Sequence, residues 1–426
     1  MVITRLLRPT TGGDAHRVTF VELFFDLVFV FAITQISHSL IAHQDATTLL
    51  HTIVLTLAVW SIWSDTAWVT NWLNPQSGPV RGMLIVLMLL GLLMSSAIPE
   101  AFGDRALLFA CSLAAMQVGR SVFTMIAFLR EHRRAHAVNF VRISIWLAVS
   151  GTLWITGALA SDEQRIWIWL VAVAIDYWGP RARFWVPGLG RSDLHAWDVT
   201  GEHLAERVSL FVIIVLGESI IVTGSAFSAE PLSWTTASAF LAAFASTVLM
   251  WLLYFNHGQE EGSDYISGAD ERGLIAQVAY TYIPVLVVLG VLLTAVADEI
   301  VLLHPFGGGG EGGGGTAGEH LAEGATGADL WTAGIICGGA FVYLLGNLLF
   351  KRATGGPWLV SHLIGMLALL LLVAGHGLAT PLALNWLTNL VLLIVVLGDE
   401  RAFRRKRRMR AGEATGAPPA DAADTI

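Results

Sequence analysis

The sequence predicts an all-α polytopic membrane protein of about twelve transmembrane helices, on three observations. Of its 426 residues, 55% are hydrophobic and only 14% charged, against roughly 25% charged in an average soluble domain. The apolar residues fall in runs of about twenty, the length that crosses a hydrocarbon core. Lys and Arg gather almost wholly on one side of the topology those runs imply. The runs are read as helices because a bilayer offers no partner to loose backbone groups, and the ten-residue alternation of an outer-membrane barrel is absent from the sequence.

In chain order the first six spans are expected near 18–41, 48–73, 80–98, 105–130, 139–160 and 164–178. The second six are expected near 203–225, 233–256, 272–297, 330–351, 357–378 and 381–397. The first run follows Arg5, Arg8 and Arg17, but it is about twice a signal-peptide core and carries Glu22 and Asp26, so it is expected to be retained. Residues 1–17 then form a cytoplasmic N-terminal segment, 18–180 a first six-helix half, 181–201 a cytoplasmic linker and 202–400 a second six-helix half. A Gly-rich outer loop at 304–328 reads as a disordered linker, and 401–426 as a basic and then disordered cytoplasmic tail.

With the N-terminus inside, the cytoplasmic side takes Arg5, Arg8, Arg17, Arg81, Arg130, Arg133, Arg134, Arg142, Arg181, Arg183, Arg191, Arg207, Arg272, Lys351, Arg352 and the tail, while Arg105 and Arg165 lie outside and Arg120 belongs to neither side. A one-helix error would scramble that division, so both termini are expected in the cytoplasm of a bacterial inner (cell) membrane. Among the sixteen Trp, Trp68, Trp72, Trp167, Trp178 and Trp358 stand near span ends, as in interfacial belts. The net charge of −8 resides mostly in loops. The cluster from Arg404 to Arg410, directly after a last span, reads as an anchor on anionic lipid and not as a nucleic-acid patch.

The two halves share a faint repeat. Trp60-Ser-Ile-Trp63 with Arg81-Gly82, and Trp251-Leu-Leu-Tyr254 with Arg272-Gly273, stand at one offset of 191 residues. Asp176 and Asp399 end the sixth and twelfth spans. Six spans per half would make this a parallel repeat about an axis along the membrane normal. Chance similarity between apolar helices is the competing explanation.

An ionisable group inside a span costs about 3 kcal/mol or more unless it is paired or faces water, so each one marks a functional position. Glu22 and Asp26 lie one turn apart on one face of the first span. Asp65 reaches a similar depth in the second, and Arg120, about 15 Å from either end of the fourth, needs a carboxylate partner, with Asp26 and Asp65 as candidates. Such a pair is either a structural clamp or part of a transport pathway. In the seventh span His203, Arg207 and Glu218 share one face, with Glu206 near its start. Glu218 stands about 17 Å beyond Arg207, so it is expected to find a hydrogen-bond partner on another helix or to couple proton movement to transport.

No metal or other cofactor is expected. His203-x-x-Glu206 lacks a further His or Cys at useful spacing, and Cys111 and Cys337 both fall inside spans. His362 and His376 read as helix-packing residues. The sequence has no HExxH, GxSxG or nucleotide motif, so an intramembrane enzyme is the least favoured class, and Asp176 and Asp399 read as span-end anchors rather than a paired-aspartate site.

The stretch Val18-Thr-Phe-Val-Glu-Leu-Phe-Phe-Asp-Leu-Val-Phe-Val-Phe-Ala-Ile-Thr-Gln-Ile-Ser, followed by His203-Leu-Ala-Glu-Arg-Val-Ser-Leu-Phe-Val-Ile-Ile-Val-Leu-Gly-Glu-Ser-Ile, resembles the two hallmarks of the bacterial low temperature requirement A protein family. The resemblance covers about 19–399 and implies a multi-pass topology. The Phe-Asp step of the first span is also similar to an Arg-x-x-x-Phe-Ser-Asp motif of lysosomal potassium channels, which are two-repeat six-helix proteins, although Phe20 and Phe25 replace its Arg and Ser.

The expected function is a secondary transporter of a small solute or ion, with a polar pathway built from the first, second, fourth and seventh spans. An ion channel using the same lining residues is the alternative.

Overall fold

The computed structural model describes residues 5–8, 18–192, 201–256, 277–307 and 327–415, with side chains to 404. Among them are twelve α-helices. In order these are α1 (Phe20–Ala42), α2 (Ala46–Trp72), α3 (Gly78–Ala97), α4 (Ala106–Arg130), α5 (Arg134–Leu159), α6 (Asp162–Arg181), α7 (Gly201–Ala229), α8 (Trp234–Phe255), α9 (Pro284–Leu303), α10 (Leu330–Ala353), α11 (Val360–Ala374) and α12 (Pro381–Thr415). Ten helical segments are long and apolar enough to cross a membrane. The two short of that standard are α6, which carries Asp162, Glu163, Arg165 and Asp176, and α11, which has only 15 residues and gives way to a short 3-10 turn at His376–Leu378.

Local chemistry sets the helix starts. Asp45 accepts from the backbone of Thr47 and Thr48, Ser233 from Thr236 and Asp329 from Thr332, each satisfying amides that have no partner within the helix. Pro79 opens α3, where a missing N–H costs nothing. Pro284 has the opposite effect, because its missing donor and its ring disrupt the preceding turn. The chain widens there into a π-helical turn over Val278–Tyr282, closed by Ile283 N to Val278 O at 3.2 Å.

Charge is turned inward and apolar surface outward, the arrangement lipid requires. Leu89, Ile364 and Leu371 are exposed by 59% or more, while Glu22, Asp26, His203 and Arg207 are 0% exposed. A helix that is apolar on its solvent side has hydrocarbon, not water, as its surroundings.

The packing of α1–α6 recurs in α7–α12. The pairs α1–α2, α1–α3, α2–α4, α2–α6, α3–α4, α4–α5 and α5–α6 have the counterparts α7–α8, α7–α9, α8–α10, α8–α12, α9–α10, α10–α11 and α11–α12. Arg120 on α4 donates to the Ile62 carbonyl of α2, and Tyr343 on α10 donates to the Met250 carbonyl of α8. The two donors stand 223 residues apart, as do Asp176 and Asp399. The sets meet through α1 and α2 against α7 and α9. Helix α9 is closely held: a Cβ at Gly290 would lie 2.6 Å from the Tyr343 nitrogen, and one at Gly339 would lie 2.8 Å from the Thr294 nitrogen.

Several expectations change. The ninth span runs past Ala297 to Leu303, so Asp298 and Glu299 belong to a helix and not to a loop; the apolar run resumes at Ile300-Val301-Leu302-Leu303 and the two acids do not end it. The last helix continues to Thr415 through the basic cluster. Trp68 is buried among neighbouring helices. The run Gly308 to Gly315, most of the loop at 304–328, Arg17, Arg272 and 416–426 lie outside the described residues.

Candidate functional site

Two ionic networks flank α2. The first joins α1 to α7. Arg207 Nη2 stands 2.6 Å from Asp26 Oδ1, which also accepts from Trp63 Nε1 at 2.7 Å, and the Arg207 guanidinium lies 5.6 Å from the centre of the Trp63 ring. One turn away, Glu22 takes Arg8 at 3.1 Å, His203 Nε2 at 3.0 Å and Arg207 Nη1 at 3.5 Å. Glu22 also accepts from the backbone and hydroxyl of Thr19, so the same carboxylate caps α1. His203 Nδ1 faces the Asn71 amide nitrogen at 3.4 Å, and its Nε2 stands 3.0 Å from both Glu22 Oε1 and Arg8 Nη2.

The N-terminal segment brings Arg8 into this network. Leu7 bridges to Leu73, and Arg8 N donates to Trp72 O while Asn74 N donates to Leu6 O, which carries the guanidinium over the end of α2. Two carboxylates and two guanidinium groups balance in charge, the condition for holding ions out of water. Asp26 Oδ2 and Arg207 Nε have no hydrogen-bond partner among the described residues.

The second network lies on the other side of α2 and opens to a cavity. Arg120 Nη2 pairs with Asp65 Oδ2 at 2.8 Å, while its Nη1 reaches Ile62 O and Thr66 Oγ1, both at 2.9 Å. One planar guanidinium thereby spans a full turn of α2, a task suited to its fixed fork of donors. Asp176 on α6 accepts from Trp154 Nε1 at 3.2 Å and adds its charge to the field at Arg120. Asp65, Arg120 and Asp176 line a cavity of about 60 Å³ together with Trp68, Trp72, Phe140, Gln277 and Thr281. That volume holds a few waters or one small ion. Two carboxylates against one guanidinium leave its wall with an excess of one negative charge.

The π-helical turn before α9 forms part of this wall. Its Thr281 carbonyl accepts from Trp60 at 2.6 Å and its hydroxyl from Trp68 at 2.8 Å. Tyr282 donates to the Tyr177 carbonyl at 2.9 Å. Trp60 and Trp63 in turn pack on Phe211 of α7, so α2 is bonded to both networks and to the opposite half.

The eight residues singled out from the sequence therefore separate. Glu22, Asp26, His203 and Arg207 come together; Asp65 and Arg120 form the other network. Of the two acids considered for Arg120, Asp65 is the partner, and Asp26 pairs with Arg207. Glu218 is with neither group: it accepts from Thr34 Oγ1 of α1 at 2.5 Å. Glu206 is exposed and accepts from the Val18 backbone, outside the buried network.

Asp176 is a member of the second network and not a span-end anchor; Asp399 pairs with Lys351 at 2.5 Å and sits against Ser361 and His362, so that histidine is not isolated. Arg8, whose signal in the sequence is only that of a topological charge, and Trp63, one of many tryptophans, were not legible as network members.

Residues 17–397 match the profile of the family described as bacterial low temperature requirement A protein. A protein of Rhizobium meliloti (strain 1021), itself described as uncharacterized, is 36% identical over 402 residues, covering 93% of this chain and 92% of its own length. No solved structure matches.

Proposed function

This chain belongs to the bacterial low temperature requirement A protein family, and we propose that it is a secondary transporter of a small solute or ion in the bacterial cell membrane. The observation that carries the reading is the position of α2 between a sealed, charge-balanced network and a cavity with one surplus negative charge. Arg120 grips α2 from one side through Ile62, Asp65 and Thr66, and Asp26 holds it from the other through Trp63. A cation entering beside Asp65 and Asp176 competes with Arg120 for carboxylate oxygens. Loosening that grip frees α2 to move against α1 and α7, and a shift of packed helices around a central site is how alternating access operates. The repeated helix pairing supports two six-helix halves, each moving as a unit, and the distribution of Lys and Arg supports cytoplasmic termini.

The test uses purified protein in liposomes on a solid-supported membrane, with concentration jumps of K⁺, Na⁺, ammonium or H⁺. Transient, gradient-driven charge movement that disappears in Asp176→Asn and Arg120→Gln, at normal protein yield, is the expected result. A sustained passive current assigns a channel instead. Collapse of yield in both variants makes the Arg120 network a structural clamp.

A further inference from the structure

A third buried polar cluster lies wholly within the second half and belongs to neither network. At its centre is Asp298 on α9, 1% exposed. Asp298 Oδ1 accepts from Asn385 Nδ2 of α12 at 2.9 Å, and Oδ2 has no hydrogen-bond partner among the described residues. Asn385 and Ser246 of α8 are the side chains that interact with it. No charged side chain is among the groups that act on it. Among the described residues no cationic side chain compensates Asp298, whereas Asp26 faces Arg207, Asp65 faces Arg120 and Asp399 faces Lys351.

The neighbouring donors have other acceptors. The Asn389 amide donates to Ala242 O at 2.8 Å. The Ser246 hydroxyl reaches Asn389 Oδ1 at 2.9 Å, Ala242 O at 3.0 Å and the Asp298 carboxyl group. Its one proton serves only one of these acceptors at a time, so its oxygen can face an ion beside Asp298 when the proton is given to Asn389 or Ala242, and the Asn385 amide, having given its nitrogen to Oδ1, retains a carbonyl oxygen. A carboxylate so placed inside a membrane domain needs a countercharge, because an uncompensated buried ion is too costly to keep.

We infer that Asp298, with Ser246 and Asn385, binds a monovalent alkali cation. The donors are all hard oxygens, which suit alkali ions and not thiolate- or imidazole-seeking metals. One carboxylate balances one positive charge, whereas a divalent ion would leave an excess charge buried. Asp298 stands five residues from the end of α9 at Leu303, and Asn385 four from the start of α12 at Pro381. The site is thus about 7 Å from the helix ends at about 1.5 Å per residue, a short path for an ion. It uses different side chains from the Asp65–Arg120–Asp176 cavity and does not depend on the transport reading.

The test is thermal unfolding of the purified full chain in detergent, in NaCl, KCl, LiCl or choline chloride at one ionic strength. An alkali cation that binds the folded state raises Tm relative to choline, by about 3 °C or more at saturating concentration. The rise is expected to vanish in Asp298→Asn, whose Tm in choline equals or exceeds that of the wild type. Ser246→Ala, which removes no charge, is expected to reduce the rise by weakening the ion's coordination, and it serves if Asp298→Asn fails to fold. Equal Tm in all four salts overturns the inference, as does a rise that persists undiminished in both variants. A Tm that follows pH while ignoring the alkali ions also overturns it, because the countercharge is then a proton.

Discussion

Arg207 on α7 and Asp26 on α1 meet at 2.6 Å with no exposure of either side chain, and through them the two six-helix sets are joined by an ion pair inside the membrane domain. Removing Arg207 leaves Asp26 without a cationic partner, and removing Asp26 leaves Arg207 only the longer contact to Glu22 at 3.5 Å; breaking a buried pair costs up to about 3–5 kcal/mol. Arg207→Met and Asp26→Leu are each expected to lower the detergent Tm sharply. The double variant should lose less than the sum of the two, which a double-mutant cycle of melting curves measures.

Arg120 uses both terminal guanidinium nitrogens at once, so charge alone does not replace it. Arg120→Lys is expected to keep near-normal abundance but to lose at least one charge-assisted hydrogen bond, worth about 1.5 kcal/mol or more. That corresponds to about tenfold or more in rate if the bond matters in the rate-limiting step. Initial-rate transport currents normalised to protein content provide the measurement.

Glu218 stands apart from both networks with the Thr34 hydroxyl as its partner. Thr34→Val, which removes that donor, is expected to cost about 1–3 kcal/mol, and Glu218→Gln, which keeps an acceptor at the same place, is expected to cost less; melting curves of the two variants check the order.

Close contact of α9 with α10 depends on glycines, Gly290 on the first and Gly339 on the second among them. Gly290→Ala and Gly339→Ala put a Cβ against backbone atoms, which cannot move aside as a flexible side chain can. Each is expected to destabilise by about 1–3 kcal/mol, the usual cost of overpacking. Gly334→Ala, where a Cβ meets no atom within 4 Å, should be close to neutral on the same helix.

Asp45 caps α2 outside the membrane-spanning segment, and the Thr48 and Thr47 backbone donors hold its carboxyl below the usual carboxylate range. Because the folded-state pKa is lowered, the cap's contribution is complete above the unfolded value of about 3.9 and is lost as pH falls through the lower folded value. Amide exchange at Thr47 and Thr48 should therefore accelerate only under strong acid. Asp45→Ala should produce the same local fraying at neutral pH, at a cost of about 1 kcal/mol.

The sequence by itself determined the solvent and the elements. Runs such as 80–98 and 330–351 are too long and too apolar for any medium but lipid, and periodicity placed His203, Arg207 and Glu218 on one face, which the structure turns toward α1. The same reasoning failed at Asp298 and Asp176, because an acid near the end of an apolar run looks like its terminus until the neighbouring helices are present.

Only the tertiary structure decided which charges pair. Asp26 and Asp65 have similar depth and identical chemistry, so nothing along the chain distinguishes them as partners for Arg120. The choice falls to helix azimuth and neighbour order, set by close glycine contacts, by the hydrogen bonds of Trp60 and Trp68 to the distant Thr281, and by an N-terminal arm that brings Arg8 to Glu22. A local pattern fixes where a residue lies along its own helix axis; the partner across the gap is a property of two helices at once.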